Sequence, residues 1–352
     1  MYALALIATL ALPVPQTEAP PQPTVAGVSV DARRHLISIV VGPFDVPAMP
    51  EGMEHEIHEE EPGTLPLEFP WPMDAWFRGY RSEVLDAQGG PLAHTLLHHF
   101  TLVNFDRRGL FVPVAERIAS GSLASEDAMA PKTIGAPMKA GQRLGLYVMW
   151  RNRTGRDYEG VYLRLTLMWS PANLLPRPVS ALPVVLDVNY RPAEPNTFDV
   201  PPGRHERSAE FVFPISGRFL IASGHLHDQG ESVRFEDVES GRMLLSVQAH
   251  RSPDGTVHGV SRRLLALLGR GLRIEAGRRY RVVVVYNNVS ADTARHAMGE
   301  LVGAFAPDDM QAWPRVDYSD RLYMRDLARY GVTAYREVSE HAQHATEHKH
   351  SP

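Results

Sequence analysis

The chain has 352 residues, a formal net charge of -5 from 36 Lys+Arg against 41 Asp+Glu, and 44% hydrophobic residues. At about 150 residues per domain this predicts two domains, each able to bury a core. The weak acidity argues against a polyanion binder. With no cysteine, disulfides, thiolate nucleophiles, iron–sulfur clusters and cysteine-ligated zinc are all excluded. Any metal must be held by His, Met, Asp or Glu, which directs attention to the 16 histidines and 12 methionines.

In chain order, residues 2–12 form an apolar run interrupted only by Thr9 and stopped by Pro13 and Pro15. The run is too short to span a bilayer, which takes about 20 residues, and has the length of a secretory signal core. Residues 1–24 are therefore expected to be a signal segment with a Pro-rich linker, giving a secreted or periplasmic protein without stable membrane insertion after processing. A buried first segment is the competing reading. Asn152-Arg153-Thr154 and Asn288-Val289-Ser290 are glycosylation sequons, meaningful only in a eukaryotic secretory route.

Beyond the linker, short runs alternate apolar and polar residues between Gly- and Pro-rich turns. Strands are predicted over 36–41, 143–150, 161–169, 211–213, 219–223, 243–247 and 280–286. Many strands at short spacing with few helices between them predict an all-β protein of two jelly-roll-like β-sandwich domains. Residues 25–180 and 181–312 are assigned to the two sandwiches, because 170–183 carries four prolines and no clear period. Short helices are predicted at 114–120 and at 320–330, the second with Leu322, Tyr323, Leu327 and Tyr330 on one face. Residues 313–352 complete the chain as a helix and a His-rich tail. No repeat of fixed period is visible, although two sandwiches of similar size could be structurally related.

Three histidine motifs carry the chemistry. In Gly224-His225-Leu226-His227, following the apolar strand 219–222, positions i and i+2 of a strand project from one face, so both imidazoles can reach one ion. Two surface histidines at a strand end are the plain alternative. In His98-His99, adjacent residues of a regular strand point to opposite faces, so a shared ion needs a bulge or a site at the strand edge. One core and one solvated histidine is the plain alternative there. Met298, in Ala294-Arg295-His296-Ala297-Met298, would as a rule be core packing, but beside two imidazoles a thioether is the soft donor that favours Cu(I). His55 and His58 sit in an acidic run read as solvated surface. His205, His250 and His258 have no companion pattern. Asp228 is either an acceptor orienting the His227 ring or a solvated carboxylate. Phosphate-binding glycine loops and Gly-x-Ser-x-Gly are absent.

Taken together, these motifs resemble the copper type II, ascorbate-dependent monooxygenases, which include the peptidylglycine α-hydroxylating and dopamine β-hydroxylating enzymes. That family has an adjacent His pair in its first domain, a His-x-His in its second and a Met further downstream. Val200-Pro201-Pro202-Gly203, the strand 277–286 with Asn287-Asn288, the strand 143–152 and Tyr162-Leu163-Arg164-Leu165 look similar too. The resemblance spans roughly 65–306. It implies two coppers, one on His98 and His99 that stores an electron, and one on His225, His227 and Met298 that carries the chemistry. The implied reaction is hydroxylation of a C–H bond in a small organic or peptide substrate, using dioxygen and ascorbate or another one-electron donor. The family's third first-domain histidine has no counterpart, since no histidine lies between His99 and His205. Met149 falls where it is expected, and His94 is a substitute donor. Two further readings stand beside the enzyme: a non-catalytic copper protein for storage, transfer or sensing, and an interaction module whose metal sites have decayed. Neither substrate nor oligomeric state follows from the sequence.

Overall fold

The structure is a computed structural model. It describes residues 23–49, 67–122, 127–190, 196–266 and 270–330. The apolar run at 2–12, the acidic stretch with His55 and His58 and the His-rich tail lie outside the described residues.

The chain is all-β, with one short α-helix among the described residues. The first sandwich packs two sheets. One runs β1 (Thr24–Asp31), β2 (Leu36–Val46), β10 (Tyr158–Pro171), β4 (Ala75–Leu85), β8 (Ile134–Met138) and β11 (Val179–Ser180), with β7 (Asp127–Met129) on β4. The other runs β3 (Leu67–Pro70), β9 (Arg143–Trp150), β5 (Leu97–Arg108) and β6 (Ala115–Ser122). Alternate residues of facing strands, among them Ile37, Ile39, Phe100, Leu102, Leu144, Leu146, Leu163 and Leu165, are fully buried between the sheets. That is what period-two apolar patterning produces when one face of each sheet is covered.

In the second sandwich one sheet runs β12 (Leu182–Asp187), β23 (Gly299–Pro307), β15 (Gly217–Leu226) and β19 (Arg263–Leu264), with β20 (Leu272–Ile274) on β15. The other runs β14 (Gly203–Val212), β21 (Arg279–Asn288), β16 (Gly230–Asp237), β17 (Arg242–Arg251) and β18 (Val257–Val260). A ribbon of β13 (Phe198–Val200) and β22 (Ala294–Ala297) completes it. The Pro-rich segment ends in β11, which pairs in parallel with β8; two residues later β12 begins in the other sandwich. Phe111 bridges the two bodies, its ring edge-on to Phe213 at 4.8 Å. Ile134 and Ala181 form a smaller junction cluster with Leu220 and Ala306.

The helix predicted at 114–120 is instead strand β6. Between Leu102 and Val103 the β5–β6 register slips, leaving Ile118 as an extra residue between Ala119 and Arg117. The bulge brings Ile118 and Ala119 both inward, and with Ala115 they imitate a helical period. The C-terminal helix is present as α1 (Arg321–Tyr330), capped by the Asp320 carboxylate on the Leu322 N–H at 2.8 Å. Tyr323 and Leu327 are buried, whereas Leu322, expected on the same face, points outward. Asp326 anchors the helix to β6 through the Ala115 N–H and the Arg117 guanidinium.

The structure also shows the relation between the two sandwiches that the sequence left open. Ala140-Gly141-Gln142-Arg143 and Ala276-Gly277-Arg278-Arg279 make the same turn, with φ near +80° at Gly141 and Gly277. In each turn the glycine N–H donates to the carbonyl of an aromatic residue directly after the end of the paired strand, Trp71 or Phe213. Asn288 ends the strand that follows one turn, and Asn152 lies two residues past the end of the strand that follows the other. The Asn152 side-chain amide donates to Val46 O and Arg156 O, and that of Asn288 donates to Val200 O and Asp292 O. Thr154 and Ser290 close the two loops on the asparagine oxygens. Val46 and Val200 belong to two copies of Phe-Asp-Val-Pro, and Phe44 packs on Trp150 as Phe198 packs on Tyr286. The sandwiches are thus two versions of one frame. Both sequon asparagines are buried structural residues, not exposed acceptors for glycan.

Candidate metal centre

The His98-His99 motif meets the condition its sequence imposed. On β5, Leu97 pairs with Trp150 and His99 with Met149 of β9, so His98 is an extra residue in a bulge. The burial pattern agrees: Leu97 and Phe100 are inward, and the two intervening histidines are half-buried on the opposite side. The bulge turns both imidazoles to one face, with ring centroids 4.9 Å apart. Tyr147 covers His99 from β9 at 5.8 Å.

His225 is the penultimate residue of β15, and His227 follows directly after its end at Leu226. Their rings are perpendicular, with centroids 5.1 Å apart. Gly224, between them and the core, has no room for a Cβ, which would meet Val233 at 2.9 Å. The segment after His227 is tightly held. The Gln229 N–H donates to Gly255 O, its side-chain oxygen accepts from the Val289 N–H, and its φ is +73°. The Asp228 carboxylate accepts from the Val257 N–H at 2.9 Å, so it braces the loop in place of orienting a ring.

Met298 lies between β22 and β23. Gly299 pairs with Leu226 and Glu300 with His225. Carrying that register one step further sets Met298 opposite His227. Tyr286 ties the two backbones together: its hydroxyl accepts from the His227 N–H at 3.1 Å and donates to Met298 O. The His227 ring hydrogen-bonds to the backbone of His296, whose φ is +56°. Such a bond fixes the imidazole tautomer and leaves the other nitrogen as a donor.

The repeat clarifies what is special about these positions. In the first sandwich Glu83 pairs with Arg164 and Leu85 with Tyr162, in the places of His225 with Glu300 and His227 with Met298. Conversely the β16–β21 register slips between Gly230 and Ser232, so Glu231 bulges where His98 does. Each sandwich therefore carries both frames. The first fills only its bulge with histidines, and the second fills only its strand end.

The two pairs approach each other across the junction. Burial holds His98 down to about 3, helped by the charges of His99 and His225, and holds His99 down to about 4, helped by His225. Burial alone takes His225 to about 4, and burial with the charges of His225, His98 and His99 takes His227 to about 3. All four imidazoles are neutral at pH 7, the state in which a ring nitrogen can bind a metal.

Among the described residues no three His, Asp or Glu side chains converge to hold one ion. Each pair therefore needs a donor of another kind. Met149, buried on β9 and paired with His99, and Met298, just before β23 and in register opposite His227, are the thioethers placed next to the two pairs. Two imidazoles with a thioether fit a soft, redox-active ion such as Cu(I) and suit Mg²⁺ or Ca²⁺ poorly. His94, the substitute donor, is turned to another partner: its Nε2 lies 3.0 Å from Ser82 Oγ.

A cleft of about 760 Å³ opens beside His225. Arg81, Glu83 and Asp127 line it from the first sandwich, and His250, His258 and Arg262 from the second. His250 and His258 had no pattern to mark them in the sequence. They reach the cleft because β17 and β18 pair as a ribbon beside β15.

No protein-family model matches the chain, and no curated protein matches it. Among solved structures it is similar to the major capsid protein P2 of bacteriophage PM2, at 7% identity and TM-score 0.37, over 82% of this chain and 96% of that one. It is also similar to PNGase F, a glycosylasparaginase from Flavobacterium meningosepticum, at 9% identity and TM-score 0.35, over 76% and 96% of the two chains. The extracellular domain of ANXUR2 from Arabidopsis thaliana matches at 8% identity and TM-score 0.21, over 84% of this chain and 100% of that one. Likenesses this distant say nothing about function. No helix among the described residues is long and apolar enough to cross a membrane.

Proposed function

We propose that this chain is a copper-dependent monooxygenase-like protein. It would hydroxylate a C–H bond of a small organic or peptide substrate with dioxygen and an external one-electron donor such as ascorbate. The observation that supports the reading is a bulge-presented His pair in one sandwich and a strand-end His pair in the other, with Met298 in register opposite His227, the two pairs near enough to act on each other's charge. His225, His227 and Met298 would hold one copper, and His98, His99 and Met149 the other. When bound, copper supplies the one-electron chemistry by which dioxygen is activated toward an unactivated C–H bond.

The protein's own groups have defined tasks in this reading. Burial keeps the imidazoles unprotonated, so no proton competes with the metal near pH 7. The hydrogen bond from the His227 ring to the His296 backbone orients that ligand. The cleft beside His225 is large enough for a small substrate and presents charges of both signs. Overall, R–H + O2 + two electrons + two protons gives R–OH + H2O, so the reductant must deliver two electrons per turnover. The apolar run at 2–12 supports export to a secreted or periplasmic setting.

One observation favours a second reading, a non-catalytic copper protein. With Met149 across from His99, the first pair lacks a third imidazole and is biased toward Cu(I), which suits storage or transfer. Copper titration with oxygen-electrode measurements separates the two. Two tight coppers with ascorbate-driven oxygen consumption support the oxygenase. One copper without turnover supports the carrier, and no copper removes both.

A further inference from the structure

We infer that Tyr286 is the positioning residue of the second-domain metal site, its hydroxyl locking the His227 and Met298 segments into one donor set. This rests on the copper reading above. The phenol is buried, at 1% exposure, with its ring edge-on to Phe198, so the hydroxyl has one orientation. Its oxygen accepts the backbone N–H of His227 and donates to the carbonyl of Met298, segments 71 residues apart in the chain. Neither residue lies within a strand: β15 stops at Leu226, and β23 starts at Gly299. At the step where the two ligands sit, the Tyr286 hydroxyl bridges them in place of a ladder bond.

The repeat supplies an independent comparison. Trp150 occupies the place of Tyr286 in the first sandwich and packs on Phe44 in the same way. An indole N–H can donate but cannot accept a backbone N–H. There the corresponding strand positions are Leu85 and Tyr162, an apolar residue and a phenol in place of an imidazole and a thioether, and they pair in ordinary register. The hydroxyl is present in the frame that carries the ligands and absent from the one that does not. Packing alone is met by either aromatic, so the oxygen serves something else.

The test uses the full chain with His98→Ala and His99→Ala, which confines copper to the second site. Cu(I) is added, and X-ray absorption at the copper edge reads sulfur against imidazole scattering. Met298→Leu gives the sulfur-free reference. Tyr286→Phe keeps the ring and is expected to shift the spectrum most of the way to that reference, with imidazole scattering retained. Cu(I) affinity should fall on the order of tenfold, as for loss of an outer hydrogen bond to a ligand. Tyr286→Trp, which copies the first-domain frame, should do the same. Should Tyr286→Phe keep the parent's sulfur signal, with affinity within about twofold, the tyrosine's role is overturned while the copper reading stands. Should parent and Met298→Leu spectra coincide, the ligand assignment itself falls, and the tyrosine's role with it.

Discussion

Met149 lies directly across the sheet from His99, on the face of β9 turned away from the core. A cross-strand neighbour on one face has its Cβ about 5 Å away, within reach of a shared ligand. In the copper reading proposed above, Met149 is the third, softer donor of the first-domain pair, and that single residue would set its preference for oxidation state.

Met149→His should convert the site to three imidazoles. Cu(II) affinity is expected to rise on the order of tenfold, about 1.4 kcal/mol, and the midpoint potential to fall. Met149→Leu should weaken Cu(I) binding at this site alone. Competitive titration with potentiometry reads both; equal Cu(II) affinity in all three proteins would remove Met149 from the site.

His225→Ala should abolish the second-domain copper and leave the first, because the two pairs sit on separate frames. Electron paramagnetic resonance of the oxidised protein should lose one of two copper signals. Metal content should halve. Unchanged copper content would dismiss His225 as a ligand.

The metal-free protein should lose stability as pH falls. For each of the four histidines the folded pKa is lowered, so between about pH 6.5 and pH 3–4 the unfolded chain binds more protons than the folded one. Their contribution is fully present above pH 6.5 and is lost as the pH drops through that window. The ceiling is about 1.4 kcal/mol per pH unit for each histidine, reduced here because all four residues stay partly exposed. Replacing His225 and His227 by Gln should flatten the dependence of Tm on pH between 6.5 and 4; an unchanged slope would place the titration elsewhere.

Both Asn-x-Ser/Thr sites should remain unglycosylated in the folded protein, because each side-chain amide is spent on two backbone carbonyls. Intact mass after expression through a eukaryotic secretory route checks this. Asn288→Ala should cost about 2–4 kcal/mol, since Val200 O, Asp292 O and the Ser290 hydroxyl all lose their partner. Chemical denaturation measures it.

The repeat explains why some of this was hidden. The two Phe-Asp-Val-Pro copies and the two Asn-x-Ser/Thr copies are separated by different numbers of residues, because the loops between equivalent strands differ in length. A single fixed period therefore does not exist in the sequence, although the frame is repeated in space. Strand bulges misled in a similar way. Ile118 beside Ala119 reads as a helical pattern because one extra residue breaks the alternation.

The amino-acid order alone determined the all-β class, several of the longer strands and the two histidine motifs, because period-two burial and local residue chemistry are properties of short windows. It could state that His98 and His99 need a bulge to act together, but not that one exists. The tertiary structure decided that bulge, the meeting of the two His pairs, the tie between His227 and Met298 through Tyr286, and the cleft with His250 and His258. These depend on strand register and on the packing of distant segments, and neither is encoded within any single stretch of chain.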